Sequence, residues 1–289
     1  YNLIMKSYSF TIEEKFNNLK IIEYLKTIGV SREIIKVVKF GNIELNGKIV
    51  KNVNQIVSTC DLLTINLPVD KPNEYISPVK ADLDIIYEDD YMLAVFKPKG
   101  VLTHNSKNNR APSIDAMVIG RFAPTPFTFR AVNRLDRDTS GILLIAKDLF
   151  VASLLNNLMK EGKIKKTYSA IVVGKVKEKH FFIEKPIKRE SENSMKRVIS
   201  ENGKYALSEC TVNKRLDNDL TLLDVILHTG RTHQVRVHLS SIGHPLYADS
   251  LYGKKVENQT YYLCAKKLEF THPITNKRMT IEINEKYNI

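Results

Sequence analysis

The stretch VNRLDRDTSG, residues 132–141, packs two arginines and two aspartates into five positions beside the apolar run ILLIA. An arginine within about 4–6 Å keeps an aspartate ionised even where water is excluded. An ionised aspartate at the edge of a cleft can then act as nucleophile or base. Asp136 is the carboxylate so placed, between Arg134 and Arg137. The plainer reading is a strand-to-turn junction: Asp138 or Ser140 bonds local backbone, Gly141 supplies an unusual dihedral, and the charges pair at the surface. Spacing alone leaves both open.

A second cluster, HTGRTHQVRVHL at residues 228–239, holds three histidines. His233 and His238 are five apart, about 140° around a helix, which opposes a shared metal ion. Polar recognition fits better. A Gly-Arg-Thr turn opens a helix whose free amides favour an anion. Arg231 is unfavourable at a helix N-terminus, so a nearby carboxylate or phosphate would account for it, as would a structural pair with an acid at the core edge. Tyr168 lies in the strand-like KKTYSAIVV, with Lys166, Tyr168 and Ala170 expected on one face. It is either a half-buried strand tyrosine or a stacking platform for a nucleobase, worth about 1–3 kcal/mol per base.

Two groups of elements must position these residues. In the first, Ile21, Ile22, Leu25 and Ile28 form a helical stripe ended by Gly29, and Ser31 can cap a second helix carrying Ile34, Ile35 and Val38. A hairpin around Asn46-Gly47 and the strand DLLTINLP follow. The Pro-rich PVDKPNEYISPVK then reads as a linker. The expected organisation is a small domain at 11–70, a linker at 71–80 and a large domain at 81–289, each with its own apolar core.

In the large domain, ILLIA is a buried strand, Asp148 can cap a helix holding Val151, Leu154, Leu155 and Leu158, and Leu223, Val225 and Leu227 share a strand face. Strands dominate and βαβ units are few. The fold class is therefore α+β, with a mixed, mostly antiparallel central sheet and flanking helices, plus a small α/β domain of two helices and a hairpin.

The net charge of +12 points to a polyanionic partner. The excess is concentrated: residues 160–197 hold 12 Lys/Arg against five Asp/Glu, as a phosphate-backbone footprint would. Three dispersed cysteines without a CxxC suggest a reducing cytoplasm. No apolar run nears the roughly 20 residues of a membrane span, and YNLIMKSYSF lacks a signal-peptide core.

In order along the chain, NRLDRDTSGILLIAKD, KKTYSAIV, LHTGRTHQVRVHL, GHPLYAD and LYG resemble the RluA family of RNA pseudouridine synthases over roughly residues 81–289. The first part is similar to the small RNA-binding domain of ribosomal small-subunit protein four. The resemblance implies isomerisation of uridine in RNA, with large-subunit (23S) ribosomal RNA as the expected substrate and tRNA as the alternative. It also implies no cofactor and no metal, a monomer, and no membrane association. It carries catalytic roles onto Asp136, Tyr168 as the stacking tyrosine, and Arg231 as the partner of the aspartate. Arg134, Arg137, Thr139, Lys166, Thr232, His233 and Leu263 become substrate-binding candidates. Asn133, Ala248 and Cys264 depart from the family's usual His, Gly and His. A rival reading is an RNA-binding protein with an inactive synthase domain. A glycosidase-like hydrolase would need a second catalytic carboxylate that no motif nominates.

With no ligand spacing among the histidines, isomerisation of a prefolded RNA is expected to survive EDTA. Loss of activity restored only by zinc would overturn that.

Overall fold

The computed structural model describes residues 6–39, 41–68, 76–105, 112–123, 125 and 127–283. The first unit contains β1 (Lys6–Thr11), α1 (Ile21–Thr27), α2 (Arg32–Val38), β2 (Ile43–Leu45), β3 (Lys48–Ile49) and β4 (Leu62–Leu67). The sheet order is β1-β4-β2-β3, all antiparallel. Ser31 caps α2 by accepting from the Ile34 N–H. The expected helix pair and hairpin form, and β1, in which Tyr8 and Phe10 alternate with exposed Ser7, Ser9 and Thr11, adds an edge strand to them.

The second unit runs β5 (Ile85–Glu88), β6 (Met92–Lys97), α3 (Ile114–Phe122), β7 (Ser140–Ala146), α4 (Leu149–Lys160), β8 (Lys165–Val173) and β9 (His180–Glu184). Then come β10 (Ile187–Arg189), β11 (Arg197–Ile199), β12 (Leu207–Leu216), β13 (Leu220–Leu227), α5 (Gln234–Ser240), β14 (Leu263–Thr271) and β15 (Arg278–Glu282). A nine-stranded sheet follows the order β5-β6-β7-β14-β8-β13-β12-β9, with β15 beside β14, and β10–β11 form a separate hairpin. Only β7 and β14 pair in parallel, so the sheet is mixed and mostly antiparallel, and the protein is α+β. Of the stretch expected as a linker, residues 71–75 lie outside the described residues. Within the same stretch the Val79 N–H donates to Ala116 O on α3.

Strand β7 is buried along its whole length. Leu143 and Ile145 pack with Ile114 and Val118 of α3, while Ile142, Leu144 and Ala146 pack toward α4. A strand covered on both faces reads as continuous apolar sequence, which is why ILLIA shows no alternation. Asp148 caps α4 as expected, accepting from the Phe150 and Val151 N–H groups.

The expectation of two separate apolar cores is corrected. One cluster of buried side chains runs from Tyr8, Leu25 and Ile35 through Phe150, Leu154 and Leu155 to Ile142 and Leu144. The Tyr8 ring lies 4.7 Å from that of Phe150, the Ser31 N–H donates to Ser153 Oγ at 2.7 Å, and Lys6 pairs with Asp148 at 2.8 Å. The stripe of α4 was legible in sequence; that a second unit covers it was not. Removing residues 1–78 is expected to bare Phe150, whose burial is worth about 1.5–3 kcal/mol. The fragment should then melt below the full chain and bind a hydrophobic dye. A fragment melting at the full-chain temperature would show the contact to be dispensable.

Candidate active site

Asp136 sits in a turn just before β7, where its carbonyl accepts from the Thr139 N–H at 3.1 Å. Gly141 explains why this turn ends as it does. Its φ is +113°, and a Cβ there would come within 2.3 Å of Ala265 O on β14. Only glycine lets the two parallel strands approach so closely, and that crossing sets Ser140 opposite Cys264. On the other side of the turn Thr103 bonds both polar groups of the Leu135 backbone.

The cations beside Asp136 are not those expected. Arg231 was expected to hold it, from a helix starting near Thr232. Instead the Arg231 Nε donates to Tyr205 O at 2.8 Å, and Thr232 is exposed. Helix α5 begins two residues later, after His233 takes a left-handed conformation (φ 58°). The reversal turns Arg231 away and brings Arg236, in the first turn of α5, to the inside. Arg236 Nη1 lies 3.9 Å from Asp136 Oδ2, and His233 Nε2 lies 3.8 Å from the same oxygen.

Arg236 is held on every side. Its Nε and Nη2 donate to the two carboxylate oxygens of Asp249 at 2.7 and 2.8 Å, a two-point pair that fixes the guanidinium plane. The rings of Tyr252 and Tyr261 lie 4.9 and 4.5 Å from its Cζ. Asp249 is fully buried and accepts further from the Leu251 and Tyr252 N–H groups. Ala248, where the family favours glycine, has φ 62°, so the departure noted in sequence falls on a position that disfavours a side chain.

Tyr168, on β8, packs with Leu135, Leu263 and Val235 and is only 7% exposed. Burial, reinforced by the charges of Asp136 and Cys264, pushes its phenol well above the ordinary range. Thr139 is buried, with Oγ1 3.4 Å from Tyr261 Oη. Lys166 is buried and its pKa lowered by desolvation. Arg134 and Arg137 are exposed, the latter donating to Gly100 O. His238 turns away to Ser208 and Lys185 O. Asn133 braces β7, donating to Ile142 O and accepting from the Leu144 N–H.

Sequence reasoning passed over Lys97, in FKPKG. It is fully buried, and its Nζ donates to Pro98 O, Val101 O and Arg137 O at 3.0, 2.8 and 2.9 Å. The ammonium thus ties the residue after Asp136 to the loop after β6. The available signal was a lysine continuing the apolar strand MLAVF, a place where a charge needs partners.

A partly exposed carboxylate faced by an imidazole and a locked guanidinium is an arrangement that could meet positive charge developing on a substrate. Comparison with known proteins agrees. Residues 91–241 match the RNA pseudouridylate synthase family. The "Uncharacterized RNA pseudouridine synthase YjbO" of Bacillus subtilis is 34% identical over 266 residues, 90% of this chain and 93% of the relative. The "Ribosomal large subunit pseudouridine synthase C" of Vibrio parahaemolyticus is 33% identical, over 86% of this chain and 82% of the relative. Among solved structures, "Human RNA Pseudouridylate Synthase Domain Containing 1" superposes with a TM-score of 0.61 at 26% identity, covering 71% of this chain and 84% of that one. The chain belongs to the RNA pseudouridylate synthase family and is an isomerase.

Burial pushes Lys97 down to about 8, against the opposing pull of Asp138 and Asp136. Because its folded pKa lies below the unfolded value, the unfolded chain keeps the proton to higher pH. Between the two values stability therefore rises with pH, as the penalty for burying the charge is lifted. Catalysis is expected to run the other way, since the neutral amine has one donor fewer for three carbonyls. The single-turnover rate should fall above about pH 8 while thermal stability does not. A rate flat to about pH 9, a pH unit beyond that value, would sink this role.

Proposed function

We propose that the protein converts uridine to pseudouridine in RNA, with large-subunit ribosomal RNA as substrate and Asp136 as the reactive group. The observation that carries this reading is the position of Asp136 Oδ2, 3.8 Å from His233 Nε2 and 3.9 Å from Arg236 Nη1. Breaking the bond between uracil and ribose builds oxocarbenium-like charge on the sugar, which a preorganised carboxylate stabilises. Attack on the ribose and removal of a ribose proton both need a carboxylate held in place, and the Arg236 guanidinium lies 3.9 Å from its Oδ2. The freed uracil turns and rejoins through carbon-5. Both steps within one site require water to be kept out, since it would otherwise intercept the intermediate.

A uridine in a helix must leave the stack to reach Asp136. In this reading Tyr168 and Leu263 contact the flipped base, Arg134 and Arg137 at the exposed rim meet the RNA backbone, and the basic stretch from Lys160 to Arg197 supplies phosphate contacts. The unit at 11–70, joined through 71–80 to the synthase domain at 81–289, is a second RNA-binding surface. The ribosomal RNA assignment is supported by the relative named as a large-subunit synthase. The cysteines of the described residues are free, and no helix among those residues is long and apolar enough to cross a membrane. The free thiols support a reducing, cytoplasmic setting, and in this reading the chain acts as a monomer. The direct test is to map pseudouridines in RNA from cells with and without the protein: sites that vanish with it support the reading, and an unchanged map overturns it.

Asp136→Asn keeps shape and removes charge. It is expected to lower the single-turnover rate more than about 100-fold while RNA affinity stays near wild type. Arg236→Lys replaces a two-point fork by a movable point charge, and a misplaced carboxylate loses about 100-fold in rate. Arg231→Lys should leave the rate nearly intact. The reverse ranking of the two arginine variants would return the catalytic role to Arg231.

A further inference from the structure

A chain of polar contacts leads away from Asp136 that the chemistry outlined above does not use. His233 faces Asp136 through Nε2, and its other ring nitrogen, Nδ1, lies 2.8 Å from Tyr252 Oη. The same phenol oxygen accepts the backbone N–H of Arg197, the first residue of β11, at 2.8 Å. The His233 and Tyr252 rings meet edge-on, at 5.7 Å and 81°.

Counting protons fixes the direction of these bonds. A phenol has one proton to give. Tyr252 Oη already accepts from Arg197, and among the described residues its proton has His233 Nδ1 as acceptor. Donation to Nδ1 leaves the neutral imidazole with its proton on Nε2, aimed at the Asp136 carboxylate. The other tautomer would turn two donors on the phenol oxygen, leave its own proton unplaced, and set the Nε2 lone pair against a carboxylate. His233 is also held at φ 58° as the residue before α5, a conformation that a side chain keeps only where its surroundings hold it. Burial lowers its pKa, with Asp136 and Asp249 opposing and Arg236 and Arg197 assisting.

We propose that Tyr252 is a positioning residue: its hydroxyl, anchored by the Arg197 backbone, fixes His233 as the Nε2–H tautomer, and that N–H, together with Arg236, orients Asp136. At 3.8 Å the contact is an oriented dipole rather than a hydrogen bond, so its effect is on where the carboxylate points. Tyr252 also stacks on Arg236. One tyrosine therefore serves both donors, through its hydroxyl on one side and its ring face on the other.

The proposal rests on the uridine-isomerising reading for its rate test and on nothing but the chain itself for its tautomer test. Tyr252→Phe keeps the ring over Arg236 and removes only the hydroxyl. Nitrogen-15 spectra of histidine-labelled full-length protein, with the His233 signal assigned by its loss in His233→Gln, should show the Nε2–H form in wild type and a shift toward the Nδ1–H form in Tyr252→Phe. The single-turnover rate on RNA should fall about tenfold in Tyr252→Phe, with affinity and melting temperature little changed. His233→Gln keeps an N–H donor toward Asp136 that needs no tautomer, so adding Tyr252→Phe to it should cost less than twofold further, a non-additive cycle. A wild-type Nδ1–H form, a Tyr252→Phe rate within twofold of wild type, or full additivity would each overturn the proposal. Absence of product from the wild-type chain, with the expected tautomer present, would instead overturn the reading of its reaction.

Discussion

The guanidinium of Arg236 is nearly buried, and the aspartate that holds it is wholly so. Taking both charges out of water costs several kcal/mol per ion, recovered only when geometry is good and the remaining donors and acceptors are met. Here they are: two nitrogens meet two oxygens, two backbone amides complete Asp249, and two tyrosine rings enclose the cation. Such a pair adds little net stability over apolar residues of the same size. It supplies a positive charge that cannot rotate, 3.9 Å from the Asp136 carboxylate.

The rest of the fold brings that fixed charge and Asp136 together from distant parts of the chain. Asp136 belongs to the turn entering β7, Arg236 to a helix that follows β13, and Asp249 to the loop after that helix. Strand β14, a late segment, inserts between β7 and β8, and the close approach at Gly141 fixes how far the Asp136 turn can sit from Tyr168. Lys97 holds the same turn from behind. The N-terminal unit braces this frame from outside, through α4 and the face of β7 it covers.

Much of this was legible in the sequence, and for identifiable reasons. Asp136 and Tyr168 were singled out by local patterns, charges crowded at a strand entrance and a tyrosine on an alternating strand, and the family resemblance alone gave them catalytic roles. Helices α1, α2 and α4 followed from apolar spacing and from caps at Ser31 and Asp148, all of which act within a few residues. Arg236 was missed and Arg231 chosen because the two lie five positions apart in one motif, and only the left-handed turn at His233 decides which faces inward. Lys97 was missed because a lysine at a strand end looks exposed until the carbonyls around it are placed.

By itself, then, the sequence determined what depends on neighbours along the chain: element types, the candidate aspartate, the basic character of the surface and the family resemblance. Only the tertiary structure decided what depends on meetings across the chain. Those are the partner of Asp136, the tyrosines enclosing Arg236, the lysine behind the turn, and the apolar cluster shared between the N-terminal unit and α4. The physical reason is that helix and strand periodicity report a side chain's direction from its own element. The identity of the group it meets is set by the sheet order, where β14 pairs with β7 across more than a hundred residues of sequence.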